Sequence, residues 1–159
     1  MAFLFRPLLQ NNADLIEKLS NSGIIKHKEI QDVMLMVDRG DFITFNSYQD
    51  NAQPIGHNAT ISAPHMHAYA LEYLHDVLQP GHSVLDVGSG SGYLSACFAH
   101  LVGAKGKVVG IEHIYELTAI SINNVNKHHA KLLQTKQLEL ITGDGRNGYM
   151  KHAPYHAIH

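Results

Sequence analysis

Apolar residues recur at helical spacing in the first half of the chain, whereas the second half alternates between short apolar runs and helical patterns. Residues 12–23 and 28–37 carry apolar side chains three and four positions apart, which predicts two amphipathic helices. Asn12 is placed to cap the first of them, which is expected to end near Gly23. A third helix is predicted over residues 65–78, after a proline and before a Pro-Gly pair.

The segment from residue 41 to residue 61 shows neither periodicity. It is polar and contains the turn-forming residues Asn46, Pro54 and Gly56. We therefore predict an irregular loop, and a loop of this length inside a compact domain indicates a functional role.

Four short apolar runs in the second half predict strands, and helical patterns separate the first three of them. The runs cover residues 83–87, 107–112, 138–142 and 155–159, and the two helices cover residues 93–102 and 114–127. This order predicts parallel strands with right-handed crossovers, which is an α/β fold of the Rossmann-like type.

The first of these strands runs into a glycine turn in which Asp86 precedes Gly88, Gly90 and Gly92. Glycine lacks a Cβ, so the turn can adopt positive φ and a ligand can lie against its backbone and the following helix N-terminus. Tyr93 stands where the dinucleotide fingerprint requires glycine or alanine. The pattern is instead typical of sites for S-adenosylmethionine, whose ammonium group suits the carboxylate of Asp86. The alternative is a tight strand–helix turn that binds nothing.

Two further carboxylates follow predicted strands. Glu112 ends the second strand about 20 residues beyond the glycines, where an acid in a Rossmann-like unit accepts hydrogen bonds from ribose hydroxyls. Asp144 follows the third strand, and we place it beside an adenine ring because ligands of open α/β sheets bind at the carboxyl ends of strands. The competing interpretations are an exposed strand-end charge at Glu112 and a plain Asp-Gly turn at Asp144.

Composition favours one globular domain and gives no support for nucleic-acid or membrane binding. The 159 residues are 45% hydrophobic and 16% charged, with a net charge of −2 and no Lys/Arg cluster. The first ten residues are apolar but too few to span a bilayer. The single cysteine, Cys97, is predicted to be buried, and it indicates a reducing compartment, which we interpret as the cytosol. The 13 histidines lack zinc-site spacing, so no metal is expected.

The segment from Ile55 to His67 reads Ile-Gly-His-Asn-Ala-Thr-Ile-Ser-Ala-Pro-His-Met-His and resembles the signature of the protein-L-isoaspartate (D-aspartate) O-methyltransferases. Residues 22–25 and 143–146 resemble the same family, in its eukaryotic cytosolic type, and the resemblance runs from about Asp14 to the last residue. It implies a class I methyltransferase fold. It also implies methyl transfer from S-adenosylmethionine to the free α-carboxylate of isoaspartyl residues in damaged proteins. The methyl ester that forms then closes to a succinimide, which starts repair.

The resemblance also assigns roles to single residues and implies a monomer. Ser62 matches the active-site serine of the family. The positions that match its cofactor contacts are Ala59, Thr60, Ile61, Ser62, His67, Ser91, Glu112, His113, Asp144 and Gly145. The glycine-turn pattern adds Asp86, Gly88 and Gly90 to this set.

The chemistry explains why a serine suffices for this reaction. An isoaspartyl α-carboxylate is ionised at neutral pH, so its attack on a sulfonium methyl needs positioning rather than a strong base. The hydroxyl of Ser62 can orient that carboxylate by hydrogen bonding. No Gly-x-Ser-x-Gly elbow surrounds Ser62, so we do not expect it to act as a nucleophile. Capping the helix that follows Pro64 is the alternative role, and the two are compatible.

We interpret residues 1–159 as a single methyltransferase domain that is truncated at its C-terminal end. Residues 1–81 would supply the N-terminal helices and the substrate and cofactor loop, and residues 82–159 the first strands of the cofactor-binding sheet. Parallel sheets need helices on both faces and usually more than four strands, so the chain alone is expected to be inactive or poorly folded. Two other functions stay open. One is a form that binds S-adenosylmethionine or a partner without catalysis, and the other is a nicotinamide-dependent oxidoreductase, against which Tyr93 argues.

Overall fold

The computed structural model describes residues 10–159, and the apolar residues 1–9 considered above lie outside the described part. The α-helices within that range are α1 (Asn12–Asn21), α2 (Lys28–Met36), α3 (Pro64–Leu74), α4 (Tyr93–Val102), α5 (Tyr115–His128) and α6 (Ala130–Gln134). The strands are β1 (Gln53–Gly56), β2 (Ala59–Ile61), β3 (Ser83–Val87), β4 (Lys107–Glu112), β5 (Leu138–Thr142) and β6 (Ala157–Ile158). Short 3-10 turns cover Arg39–Asp41, His75–Val77, Gly145–Asn147 and Met150–His152.

Four strands form one parallel sheet in the order β5-β4-β3-β6, which confirms the predicted Rossmann-like α/β class. β3 pairs with β4 from Ser83 opposite Lys107 to Val87 opposite Ile111. β6 pairs with the other side of β3, and the Val87 N–H extends this ladder by donating to the His159 carbonyl at 2.9 Å. Because all four strands run in one direction, the residues at their carboxyl ends lie along one edge of the sheet.

The prediction of an irregular loop over residues 41–61 is wrong in part, because β1 and β2 form an antiparallel hairpin within this segment. Gly56, His57 and Asn58 make the turn with φ values of +89°, +52° and +58°. Left-handed residues of this kind let a two-residue turn follow the twist of its strands. The pattern concealed the hairpin because its strands have only four and three residues, and Pro54 interrupts the first.

The cap of α1 is Asn11 and not Asn12 as predicted. The Asn11 side chain accepts a hydrogen bond from the Asp14 N–H at 2.9 Å. Asn12 is buried within the helix, and its amide donates to the Met34 carbonyl at 2.8 Å, which joins α1 to the end of α2. Two adjacent asparagines offer the same capping chemistry, and the packing of α1 on α2 selects between them.

The beginning of α3 settles the alternative role of Ser62. Ala63 occupies the N-cap position, and no side chain makes a capping hydrogen bond there, so the interpretation of Ser62 as a helix cap is wrong. Pro64 takes the first helical position, where its missing N–H costs nothing. The hydroxyl of Ser62 is therefore not used by the helix.

The larger hydrophobic core lies between the sheet and the N-terminal helices, with α4 at its centre. Eight of the ten residues of α4 are buried, including Cys97, whose burial is confirmed. The other face of the sheet carries a smaller core formed by Leu85, Val109, Ile111, Ile141, Tyr149 and Tyr155. Among residues 10–159, no helix combines the length and the apolar character needed to cross a membrane.

Gly110 on β4 provides the space behind the glycine turn. An added Cβ there would lie 2.6 Å from Leu140 Cδ2, 2.8 Å from Ser95 Oγ and 2.9 Å from Ser89 Cβ, closer than side-chain atoms pack. We expect Gly110→Ala to lower the free energy of unfolding in urea by about 1–3 kcal/mol through overpacking. Gly143→Ala is the matched control, because its φ, like that of Gly110, is not positive and the atom nearest to its added Cβ is the end of the flexible Ile111 side chain, at 3.1 Å. A larger loss in the control would contradict the overpacking argument.

His100 on α4 and His129 after α5 form a pair within the described structure, with His100 Nε2 3.0 Å from His129 Nδ1. Burial and then the neighbouring His129 lower the pKa of His100 from 6.5 to about 4. Burial also lowers the pKa of His129. Since a lowered pKa means that folding favours the neutral ring, this contribution to stability is complete above pH 6.5 and is lost as the pH falls toward 4.

We expect this pair to cost the protein about 1–2 kcal/mol of unfolding free energy between about pH 7 and pH 5. Urea denaturation at both pH values measures the loss. His100→Gln removes one titrating ring, while every carboxylate and the other histidines still titrate. The variant should therefore lose less unfolding free energy over the same pH interval than the unmodified protein. An identical pH dependence in the two proteins would show that the pair does not destabilise the fold in acid.

Candidate active site

The glycine turn after β3 adopts a conformation that glycine takes readily and other residues do not. Gly88, Gly90 and Gly92 have φ values of +81°, +50° and +84°. The Gly88 N–H donates to the Ile111 carbonyl on β4 at 2.8 Å, which fixes the turn to the sheet. An added Cβ at Gly88 would meet nothing within 4 Å, so space remains beside the backbone at this point.

A cavity of about 290 Å³ lies between this turn and the segment that joins β2 to α3. The turn and the end of β3 form one wall, and the start of α3 forms the other. Of the residues predicted for the site, those that line the cavity are Thr60, Ile61, Ser62, His67, Asp86, Gly88, Gly90 and Ser91. The fold therefore brings together two motifs that are well separated in the sequence.

A second and more open groove, of about 550 Å³, begins on the other side of Gly88. Three predicted cofactor contacts line it, namely His113, Asp144 and Gly145. Because Gly88 lines both the cavity and the groove, an elongated ligand lying across the turn would enter each of them.

Two of the predicted residues, Glu112 and Ala59, line neither space. The buried Glu112 carboxylate accepts hydrogen bonds from the N–H groups of Gly90 and Ile114, both at 3.0 Å. It thus ties the glycine turn to the start of α5. Because His113 Nδ1 also lies 2.9 Å from Oε1, the lone pair that remains for the predicted ribose contact is on Oε2. Ala59 lies on β2 opposite Gly56, where it belongs to the hairpin.

Asp86 lies at the cavity with 2% of its surface exposed. Its Oδ2 accepts a hydrogen bond from the Ser95 hydroxyl at 2.5 Å, and its Oδ1 accepts one from His159 Nδ1 at 3.0 Å. The bond to Asp86 raises the pKa of His159 above its usual value, which favours the protonated ring. Each carboxylate oxygen keeps a further lone pair, so the geometry is compatible with the predicted ammonium contact.

Arg39 lies behind the cavity wall that contains Ser62 and His67; it contacts both of these residues and is only 1% exposed. Its Nη2 donates to the Ser62 carbonyl at 2.8 Å, and its Nη1 lies 3.3 Å from His67 Nδ1. Burial lowers the pKa of Arg39 to about 10, so the guanidinium is still charged at neutral pH. Burial and then the charge of Arg39 lower the pKa of His67 to about 3, so this ring is neutral.

Asp144 forms a two-point ion pair with Arg146 in the open groove. Nε and Nη2 of Arg146 donate to the carboxylate at 2.9 and 2.8 Å. Asp144 also accepts a hydrogen bond from the Arg146 N–H at 3.0 Å, which begins the 3-10 turn Gly145–Asn147. These bonds lower the pKa of Asp144. The turn interpretation is confirmed, and the place of Asp144 beside an adenine ring stays a prediction.

Comparison with known protein families assigns the chain to one of them. The family described as protein-L-isoaspartate (D-aspartate) O-methyltransferase matches residues 10–159. The chain belongs to this family. The resemblance inferred from residues 55–67 is therefore confirmed.

Relatives in this family are longer than the chain. A protein-L-isoaspartate O-methyltransferase of Caenorhabditis elegans is 50% identical over 148 residues, which cover 93% of this chain and 66% of that protein. Protein-L-isoaspartate O-methyltransferase 2 of Arabidopsis thaliana is 51% identical over 148 residues, which cover 91% of this chain and 48% of that protein. The chain thus spans between about half and two thirds of the length of these two relatives.

A solved structure supports the same assignment. A chain described as a protein-L-isoaspartate O-methyltransferase from Plasmodium falciparum, in complex with S-adenosyl-L-homocysteine, superposes with a TM-score of 0.81 at 39% identity. The match covers 84% of this chain and 63% of that one. The arrangement of the sheet and helices is therefore that of S-adenosylmethionine-dependent methyltransferases.

Sequence reasoning missed two residues of this methyltransferase fold, His159 at the cavity and Arg39 behind the cavity wall. His159 directly follows β6, and the rule that ligands bind at strand carboxyl ends, applied to Glu112 and Asp144, would have identified it. Arg39 carries no comparable signal. It stands in a short polar segment after α2, and only the tertiary fold shows that its guanidinium reaches Ser62.

The pairing of Asp86 with His159 predicts a measurable titration. We expect Asp86→Asn to lower the pKa of His159 in an NMR pH titration, because the carboxylate that stabilises the protonated ring is gone. Ser95→Ala is the control, since it removes the other partner of Asp86 and keeps the charge. An unchanged pKa of His159 in Asp86→Asn would contradict the pairing.

Proposed function

We propose that the chain belongs to an enzyme that transfers a methyl group from S-adenosylmethionine to the free α-carboxylate of L-isoaspartyl residues in damaged proteins, starting repair through a succinimide. The observation that carries this proposal is the cavity in which Ser62 faces the glycine turn and Asp86. Family membership supports it, because the relatives bear this enzyme's name.

The residues at the turn fit S-adenosylmethionine as co-substrate. Backbone without side chains at Gly88 and Gly90 provides a surface for it, and buried carboxylates at Asp86 and Glu112 suit its ammonium and ribose groups. His113, Asp144 and Gly145 would take the adenosine in the open groove. When bound, S-adenosylmethionine supplies a sulfonium methyl whose transfer to a carboxylate leaves S-adenosylhomocysteine and a methyl ester.

The chain's own contribution to the reaction is positioning. The acceptor carboxylate is already ionised at neutral pH, so no base has to remove a proton from it. The Ser62 hydroxyl lies at the cavity and is used by no hydrogen bond within residues 10–159. It is free to donate to one carboxylate oxygen and so to direct the other toward the methyl group.

Several further assignments belong to the same proposal. Peptides and proteins that contain isoaspartyl residues are the partners, and the enzyme acts as a monomer in the cytosol. The buried free thiol of Cys97 supports a reducing compartment. The core shared by α1, α2, α4 and the sheet supports the interpretation as one domain. Among residues 10–159, no group of three or more His, Cys, Asp or Glu is arranged to hold a metal ion.

Two peptides of the same sequence, one with isoaspartate and one with aspartate, test the activity. We expect a protein that carries this chain at the full length of its relatives to incorporate base-labile methyl groups from radiolabelled S-adenosylmethionine only with the isoaspartyl peptide. Ser62→Ala should lower kcat/KM for that peptide by about 10- to 100-fold, because one hydrogen bond to a charged group is lost. Ser22→Ala is the control, since its hydroxyl bonds the Leu19 carbonyl at the end of α1, away from the cavity.

Calorimetry with S-adenosylhomocysteine separates the remaining outcomes. Binding without methyl incorporation by the protein at the full length of its relatives would favour the non-catalytic binding form over the enzyme. Absence of both binding and incorporation would contradict both functions. Binding of NAD in place of S-adenosylhomocysteine would support the oxidoreductase alternative.

A further inference from the structure

Arg39 is a buried cation that makes no hydrogen bond to a carboxylate among residues 10–159. Its guanidinium contacts are the Ser62 carbonyl, His67 Nδ1 and the ring of Tyr93, which lies 5.9 Å from its Cζ. Its Nε is buried without a hydrogen-bond partner. The carboxylate of Asp50 lies near enough to raise the pKa of Arg39, but it accepts hydrogen bonds from the backbone and ring of His65 instead. Burying a charge in this way is costly, so the position calls for a role beyond packing.

The contact with His67 defines which ring nitrogen carries the proton. A guanidinium has only donors, so Nδ1 of His67 must act as the acceptor in the contact at 3.3 Å. The ring is neutral, and its proton therefore resides on Nε2. No residue between 10 and 159 hydrogen-bonds Nε2, and the side chain lines the cavity. Arg39 thus keeps a hydrogen-bond donor available on a neutral ring at the site.

The contact with Ser62 fixes the main chain next to the proposed catalytic hydroxyl. Arg39 Nη2 donates to the Ser62 carbonyl at 2.8 Å, at the junction where β2 ends and α3 begins. Both bonds come from one planar group, so the orientation of His67 and that of Ser62 are set together. The backbone of Arg39 is itself tied to α1, since its N–H donates to Asn12 Oδ1 at 3.4 Å.

We propose that Arg39 is a positioning residue of this methyltransferase, which holds His67 as its Nε2–H tautomer and fixes the backbone of Ser62 against the cavity. The proposal rests on the proposed function for its effect on turnover, but its effect on His67 exists without any ligand. The neutral donor on His67 suits a carboxylate, a group that both the cofactor and the acceptor contain. Arg39 itself does not line the cavity, so it acts through these two residues.

The test combines NMR and binding on the chain with turnover measured on the protein at the full length of its relatives. Long-range proton–nitrogen spectra distinguish the two neutral tautomers of His67, and calorimetry with S-adenosylhomocysteine reports the site. Arg39→Met removes the donor and the charge, while Arg39→Lys keeps a cation that can only donate. Val33→Ala is the structural control, because it shortens a buried side chain on α2 that has no polar contact with His67 or Ser62.

We expect the unmodified protein to show His67 with its proton on Nε2 at neutral pH. In Arg39→Met the proton should be shared between the two nitrogens, and the pKa of His67 should rise because the charge that lowers it is gone. The other charged groups facing this ring, His65 from α3 and His159 from the end of the sheet, are unchanged in the variant. S-adenosylhomocysteine should bind about tenfold more weakly, and kcat for the isoaspartyl peptide should fall further than KM changes.

Arg39→Lys should restore the Nε2–H tautomer and part of the affinity, since an ammonium is also a pure donor. Three results would overturn the proposal. The first is a neutral His67 that carries its proton on Nδ1 in the unmodified protein. The second is a neutral His67 that carries its proton on Nδ1 in a folded Arg39→Lys variant. The third is an unchanged tautomer of His67 in Arg39→Met, together with losses of affinity and kcat that Val33→Ala reproduces. If the protein at the full length of its relatives transfers no methyl group, the proposed function fails while the tautomer still decides the role of Arg39.

Discussion

Parallel pairing of β3 with β4 on one side and with β6 on the other is the constraint on which the candidate site depends. Because the strands run in one direction, the groups at their ends meet at one edge of the sheet. Asp86, Glu112 and His159 reach this edge from three different strands. The glycine turn packs over the same edge, and the absence of a side chain at Gly110 leaves the room that it needs. The register of the parallel sheet therefore determines where the side chains of the site meet.

The cavity places two histidines in opposite electrostatic surroundings. His159 is bonded to the carboxylate of Asp86, which raises its pKa and favours the charged ring. His67 contacts the guanidinium of Arg39 and is buried, so its pKa falls and the ring is neutral. In both arrangements the ring offers N–H groups and no negative charge. A cavity built in this way suits carboxylates, which the proposed reaction requires.

The features that could be predicted from the sequence are those that depend on local pattern. The strands over residues 107–112 and 138–142 have the predicted limits, because each is a short, mostly apolar run that an acid ends or a glycine follows. The glycine turn is equally local, since its spacing and the missing side chains are visible in the sequence itself. The segment containing Ser62 was recognised by resemblance, and the fold then placed it opposite the turn.

The features that could not be predicted depend on contacts between distant segments. Arg39 and Ser62 are 23 positions apart, and no local pattern indicates that a guanidinium after α2 reaches that carbonyl. The choice of Asn11 over Asn12 as a cap likewise depends on the packing of α1 against α2. The hairpin β1–β2 was missed for a different reason, because its strands are too short to show alternation.

The two walls of the cavity have separate support, and this explains the presence of a buried cation. The sheet holds the wall with Asp86, while the N-terminal helices hold the wall with Ser62 through Arg39. A reaction that depends on positioning is sensitive to displacements of about 1 Å between such walls, which can cost about a hundredfold in rate. An apolar side chain at position 39 would pack without fixing the Ser62 carbonyl or the His67 ring, whereas a planar guanidinium orients both. The desolvation cost of Arg39, on the order of several kcal/mol, is thus better explained by the geometry of the site than by the stability of the fold.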